Sequence, residues 1–314
     1  MPNLQRFTKD GVVAVLCSDI HLSHKAPLIR TAEPNWYDAM ARPLQQLQII
    51  KDFYKAPIIC AGDVFDKWNS PPELINFALE CLPKMYSIPG QHDLPYHDND
   101  QIEKSAYWTL AQTEKIYHLE PAVIHVIDSF RVVAFPWGHE PAPFEQGEKY
   151  TSLAVVHKYI WMNEQTSYKD APRAAKIATV RGSLAGYSSA VFGDNHKGFL
   201  STNGLTQVIN CGGFMRRNAD QLDYRPQVGL LHSSGKISTV LLDCSEDKFL
   251  NISAIEEIAN TIQGMSEYLT SLKQLMGGCG LDFRTSIERY LHDKKVRKEV
   301  AAKIIETLEE SPEL

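Results

Sequence analysis

The feature that most constrains this 314-residue sequence is a repeated local arrangement: a short apolar run that ends abruptly in aspartate or histidine. VVAVLC (12–17) runs into Ser18-Asp19-Ile20-His21, and APIIC (56–60) runs into Gly62-Asp63-Val64-Phe65-Asp66. KMYSIP (84–89) runs into Gly90-Gln91-His92-Asp93. Runs of this length bounded by turn signals read as buried strands. Between them, 36–55 and 71–82 carry helical periodicity. Pro43 is expected to kink or divide the first helix, and Pro71-Pro72 to start the second. Strand–helix–strand alternation predicts an α/β domain with a partly parallel sheet. In such sheets ligands bind outside the carboxyl ends of the strands. The polar clusters stand at those ends.

Farther along, from about 116 to 245, strands dominate, with hairpin-like turns before RVVAFPW and KISTVLL. His157 ends LAVVH, and Gly193-Asp194-Asn195-His196 follows AVF, bringing the number of such strand ends to five. After Asp243 the pattern becomes amphipathic and helical, in two stretches (253–276 and 283–310) split by GGCG at 277–280. This predicts a main domain over 1–245 and a helical C-terminal region over 246–314. Composition sets outer limits. With 44% hydrophobic and 22% charged residues the chain is ordinary globular protein, not disordered or fibrous. No apolar run reaches the length of a membrane span and no signal-like leader precedes the first strand, so a cytoplasmic protein without a membrane partner is expected. Six cysteines without a C-x-x-C pair fit free thiols in a reducing compartment, not a disulfide scaffold or a structural zinc site. A formal charge of −6 excludes a broad basic coat for nucleic acid.

Asp19 and His21 lie two apart, so in extended backbone their side chains point the same way and can grip one ion. A single strand-ending aspartate is often only a turn or cap residue. Five such ends, each delivering Asp or His, are a pattern. The ordered set D-x-H (Asp19, His21), G-D-x-x-D (Asp63, Asp66), G-Q-H-D (90–93), lone His157 and G-D-N-H (193–196) resembles the calcineurin-like metallophosphoesterases. The resemblance implies an α/β fold, a double β-sandwich flanked by helices, with a two-metal site at the strand ends. It implies that Asp19, His21 and His196 hold one metal, that Asp63 bridges, and that Gln91, His157 and Asp194 complete the second. It makes His92 and Asp93 the catalytic positions, His92 contacting the phosphate and Asp93, like Asp66, orienting its neighbours. Two such ions clamp a phosphoryl oxygen and activate water, so no serine or cysteine nucleophile is called for. Two positions depart from the family pattern, Gln91 standing for Asn and Asp194 for His. The added oxygen donor favours Mn²⁺ or Mg²⁺ over Zn²⁺, with Fe²⁺ also open.

Within that family the texture of DIHLSHKAPLIRTAEPNWYDAMARPLQQL, GQHDLPYH and GDNHKGF is similar to SbcD-like DNA repair exonuclease subunits of bacteria and phages. That likeness implies a Mn²⁺-dependent DNA exonuclease or endonuclease, in the host cytoplasm if phage-encoded. It also implies an SbcC-like coiled-coil ATPase partner docked on the helical tail; a homodimer stays open. Lys197, Arg216, Arg217 and Arg30 are the candidate phosphate or DNA contacts, and Trp36, Tyr37 and Trp161 candidate stacking residues. Two other functions remain open: hydrolysis of small nucleotides or cyclic nucleotides by the same metal core, and an interaction module with a weakened centre.

Overall fold

A computed structural model of the protein describes residues 11–145, 150–201 and 206–250. The chain divides into two compact units, Met1–Ile255 and Glu256–Leu314, and all described residues belong to the first. The helical stretches expected at 253–276 and 283–310 lie outside the described residues.

In chain order the strands are β1 (Val12–Cys17), β2 (Ile58–Cys60), β3 (Met85–Ser87), β4 (Ile116–His118), β5 (Ile124–Ile127) and β6 (Phe130–Phe135). Then follow β7 (Thr151–His157), β8 (Ser189–Gly193), β9 (Phe199–Ser201), β10 (Gln207–Asn210), β11 (Gln227–His232) and β12 (Ile237–Leu241). They form two six-stranded mixed sheets, ordered β12-β11-β1-β2-β3-β4 and β5-β6-β7-β8-β10-β9. Strands β1 to β4 of one sheet, with β4 at its edge, and β6, β7, β8 and β10 of the other, run parallel. Antiparallel strands close the other edge of the first sheet and both edges of the second, among them the expected hairpins β5–β6 and β11–β12.

Side-chain alternation explains the layering. In β1, Val15 and Cys17 face α1 (Trp36–Tyr54), α2 (Pro72–Cys81) and α3 (Ala106–Gln112), whereas Ala14 and Leu16 face the other sheet. In β7, Leu153 and Val155 meet that inter-sheet core, while Ala154 and Val156 pack outward against α4 (Ile177–Val180) and Leu184. Strands covered on both faces need no polar face, which is why these runs are apolar throughout. Among the described residues, no helix is long and apolar enough to cross a membrane.

α1 begins at Asn35, whose Oδ1 accepts from the backbone N–H of Tyr37 at 2.9 Å, and ends at Lys55 in left-handed conformation. Pro43 does not divide it. Ala39 and Met40 before the proline and Leu44 and Leu47 after it bury against the same sheet, so packing holds both halves in line across the missing hydrogen bond. The indole N–H of buried Trp36 donates to the Ser23 carbonyl, so that ring belongs to the core and is not a stacking surface.

Beside α1 a buried ion network fastens the segment that follows β12. The Arg30 guanidinium pairs with Glu33 at 2.6 Å and Asp247 at 2.9 Å and donates to the Arg216 carbonyl at 2.6 Å. Arg216 pairs with Asp247 at 2.9 Å and donates to the carbonyls of Leu222 and Cys244. The Phe249 ring lies 4.9 Å from the Arg30 guanidinium carbon and 4.7 Å from that of Arg216. Arg30 and Arg216 are therefore structural bolts, which corrects their expected role as phosphate contacts.

Burial pushes the Glu33 carboxyl up, but the Lys248 backbone N–H and the Arg30 and Arg42 guanidiniums outweigh it and hold the group below its ordinary range. A depressed carboxyl stabilises the fold above its unfolded pKa, and the contribution is lost as pH falls through the folded value. Glu33→Gln should lower stability near neutral pH by about 3 kcal/mol, as breaking a buried pair does. The difference between variant and parent should shrink on acidification, read as thermal midpoints across an acid series.

Candidate metal centre

The loops that leave β1, β2, β3, β7 and β8 converge, and the two sheets each contribute. The chain after β1 runs beside the chain after β2, with backbone N–H groups of Asp19 and His21 donating to the carbonyls of Gly62 and Asp63 at 3.0 Å each. Asp19 (φ 52°), His21 (φ 49°), Asp63 (φ 54°) and Asp194 (φ 80°) all sit in the left-handed region. L-residues adopt it at a cost, aspartate less so than most. The conformation turns each side chain inward at a strand end. The glycines of the two motifs have a spatial reason: a Cβ at Gly62 would strike the His157 ring, and one at Gly90 would strike the Asp63 carboxylate.

Asp63 occupies the middle. Its Oδ1 accepts from the backbone N–H of His92 at 3.0 Å. Its Oδ2 is buried, has no hydrogen-bond partner, and lies 3.5 Å from Nε2 of both His21 and His157. On one side His21 Nε2 faces His196 Nε2 at 3.0 Å, with Asp19 Oδ1 at 4.0 and 3.9 Å from the two nitrogens. On the other, His157 Nε2 faces Gln91 Oε1 at 2.5 Å, and Gln91 Nε2 donates to Asp194 Oδ1 at 2.7 Å. His157 Nδ1 is 2.6 Å from the Ala61 carbonyl, an acceptor only, so Nδ1 carries a proton and Nε2 is the atom that faces the cluster. Burial opposes charge on this ring, but the Asp63, Asp194 and Asp19 carboxylates raise it well above its ordinary value.

Ligand-type atoms group within 4.8 Å of one another in three sets: Asp19–His21–His196, His21–Asp63–His92, and Asp19–Asp63–His157. The first set coincides with the expected first group. Asp19 also reaches toward the His157 side, which spacing in the sequence does not show. Ser18 Oγ donates to Asp19 Oδ2 at 2.5 Å and the Asp194 backbone N–H to its Oδ1 at 2.9 Å, fixing that carboxylate.

The electrostatics follow from burial. It drives the imidazole of His21 well below its ordinary value and that of His196 down to about 4, so both are neutral with lone pairs to offer. Burial pushes Asp19 up to about 7, with His157 opposing and Asp63 reinforcing. Burial also raises Asp63, but the surrounding imidazoles of His157, His92 and His21 win and hold it well below the carboxylate range. The ionised Asp63 Oδ2 therefore has no hydrogen-bond partner, and the neutral imidazoles of His21 and His196 meet at 3.0 Å beside it. A divalent cation would answer that oxygen, and the donor set of carboxylate, amide oxygen and imidazole suits Mn²⁺, Mg²⁺, Fe²⁺ or Zn²⁺.

Other expected residues stand around this cluster. His92 is exposed at the mouth, its Nδ1 2.9 Å from the Asp66 carbonyl. Asp66 pairs with Arg217 at 2.7 Å, and Arg217 also donates to the His21 carbonyl at 2.9 Å. Asp93 does not touch His92 through its carboxylate. Its two oxygens accept from the backbone N–H groups of Val64, Phe65 and Gly90, so among the catalytic positions expected it orients its surroundings as a clamp between two loops and not through His92. Lys197 is tied to the Ser167 carbonyl at 2.8 Å and lies over the Tyr168 ring, which makes it a brace and not a free phosphate contact. Asn195 likewise holds the carbonyls of Ile160 and Thr166. Trp161 donates to the Pro172 carbonyl with Lys176 over its ring, and Tyr37 faces His24. Trp137, just past β6 with its ring 6.4 Å from that of His157, was not anticipated, although it too follows a parallel strand end.

Asp63→Ala should abolish metal binding, read by elemental content after dialysis against Mn²⁺. Asp93→Ala should retain metal-ligating groups but lower thermal stability by about 1–3 kcal/mol through unpaired buried N–H groups. Equal metal loss in both variants at unchanged stability would contradict the separate roles.

No curated protein matches this sequence. Solved structures that it resembles include a novel archaeal phosphodiesterase, at 12% identity over 73% of this chain and 99% of that one, with a TM-score of 0.38. Another is a phosphopantetheinyl hydrolase from Mycobacterium tuberculosis, at 13% identity over 76% and 99% with a TM-score of 0.40. A third is a dimetal phosphatase from Danio rerio, at 11% identity over 74% and 100% with a TM-score of 0.43. The family model for calcineurin-like phosphoesterases matches residues 13–212, a span that contains every strand end of the cluster from Asp19 to His196. With that span covering well over half of its length, the chain belongs to the calcineurin-like phosphoesterase family.

Proposed function

We propose that the protein is a two-metal phosphodiester hydrolase acting on DNA, with Mn²⁺ as its working ion. The observation that carries the substrate reading is a groove of about 260 Å³ that opens beside the centre and shares Asp66 with it. Exposed Lys25 and Lys67 line it, along with Asn69 and Ser70. A monoester needs no such extension. A chain of phosphates does, and lysines lining such a groove serve the phosphates flanking the scissile one. Lys25 and Lys67 thus take the role first expected of Arg30, Arg216 and Lys197. Five described cysteines are free, in keeping with a reducing cytoplasm. The same reading assigns residues 246–314 to docking of an SbcC-like ATPase.

Asp19, His21 and His196 would hold one cation, Gln91, His157 and Asp194 the other, with Asp63 shared. When bound, such a pair supplies Lewis acidity to a phosphoryl oxygen and a water acidic enough to attack. The chain does the rest. The Asp66 carbonyl accepts from Nδ1 of His92, which leaves Nε2 to contact the phosphoryl group and to give a proton to the departing oxygen. The surrounding loops lower the His92 pKa by desolvation, but the Asp63 and Asp66 carboxylates raise it more, so the protonated ring is favoured. Arg217 pins Asp66 and the His21 carbonyl, holding the His92 acceptor in place.

With Mn²⁺, end-labelled DNA should be shortened, and an activated phosphodiester should turn over faster than an activated phosphomonoester. His92→Ala should cut kcat by about 10²–10⁴ while leaving metal content nearly intact. Lys67→Glu with Lys25→Glu should raise KM for DNA about tenfold at low salt and flatten its salt dependence. Turnover of small esters with DNA untouched would place the substrate among free nucleotides instead.

A further inference from the structure

Immediately after the loop that carries Gln91, His92 and Asp93, the backbone does something costly. Tyr96 (φ 55°) and His97 (φ 58°) are consecutive L-residues in the left-handed region. Strain of this kind persists where the surroundings over-determine it, and it gathers at functional sites. Here it does not serve packing, because Tyr96 is 64% exposed. Its ring lies 6.0 Å from that of half-buried Trp68, tilted by 45°. Trp68 follows Asp66 by two residues, with exposed Lys67 between them.

The two loops are locked as one piece. Asp93 accepts from backbone N–H groups on both, and the Trp68 carbonyl accepts from the Ala106 N–H at 2.8 Å. The exposed His97 ring meets the half-buried Trp137 ring edge-on at 6.1 Å, and Trp137 in turn lies 6.4 Å from the His157 ring. The strained step therefore links one ring, through Trp137, to the His157 side of the cluster, while its neighbour Tyr96, four residues after His92, is presented to solvent. An exposed tyrosine ring backed by a half-buried tryptophan, on loops that carry His92 and Asp66 and with Lys67 close in sequence, fits a planar base joined to a phosphate. Stacking on such a face tolerates any base but requires that the base be unpaired.

We infer that Tyr96 and Trp68 form a stacking platform for an unpaired nucleobase next to the scissile phosphate. The substrate class is then single-stranded or frayed nucleic acid, an inference that rests on the phosphodiesterase reading above. The test compares binding of a labelled oligothymidylate with that of a fully abasic oligomer of equal length and charge, by fluorescence anisotropy on the full chain. The wild-type protein should bind the base-bearing oligomer about tenfold tighter, the scale of one or two stacked bases. Tyr96→Ala should lose that preference, Tyr96→Phe should keep it, and thermal melting should show both variants folded. Equal binding of the two oligomers by the wild-type protein, or a preference that survives in Tyr96→Ala combined with Trp68→Ala, overturns the platform. Hydrolysis is followed in parallel with Mn²⁺. Base-dependent binding without cleavage of any diester overturns the phosphodiesterase reading and leaves the platform standing; cleavage without base dependence does the reverse.

Discussion

One buried carboxylate oxygen organises this molecule. Asp63 Oδ2 is ionised, inaccessible to water and without a donor, between two imidazole nitrogens that are each 3.5 Å away. Burying a charge costs several kcal/mol unless a counter-charge accompanies it. In the metal-free protein the His157 imidazole, raised despite burial well above its ordinary value by Asp63, supplies one without a hydrogen bond to this oxygen. The fold tolerates it because the groups around it are held in place. Its partner oxygen is held by the His92 N–H, the loops on either side are clamped by Asp93, and the His157 ring is fixed by the Ala61 carbonyl. Relaxation that would let the carboxylate escape toward water is closed off. The site is thus preorganised for cations at the expense of the metal-free state.

Much of this was legible in the sequence because the centre is local to strand ends. An apolar run announces a buried strand, and an aspartate or histidine directly after it has only one place to go. That logic placed Asp19, His21, Asp63, His157, Asp194 and His196 at one edge of two sheets without any knowledge of how the sheets dock. The parallel core and the two hairpins followed from the same periodicities. Short elements escaped. β9 has three residues, α4 has four, and α3 (AYWTLAQ) carries more aromatic than helical signal, so none rises above the turns around it.

What sequence could not show were pairings across long separations. Arg30 and Arg216 stand in polar stretches and look solvent-facing, yet they meet each other and Asp247 across 186 and 217 residues. Lys197 looks poised beside His196, but Tyr168 and the Ser167 carbonyl take it. Pro43 was read by its local effect on a helix, and the sheet beneath overrode that effect. In each case a tertiary partner reversed the reading that local chemistry favoured. Asp93 shows the subtler version: its neighbour His92 suggested shared chemistry, whereas its carboxylate turns away to bind three backbone N–H groups.

The cluster draws on side chains from Asp19 to His196, supplied by both sheets, and the His21–His196 contact spans 175 residues. No early portion of the polypeptide contains it. A ribosome-bound chain that has emerged only through the first sheet's parallel strands has Asp19, Asp63 and His92 but lacks the imidazoles of His157 and His196. Hydrolytic power therefore arrives late in synthesis and all at once, when the second sheet docks. The order of the chain thus keeps the metal ligands apart until both sheets have been made.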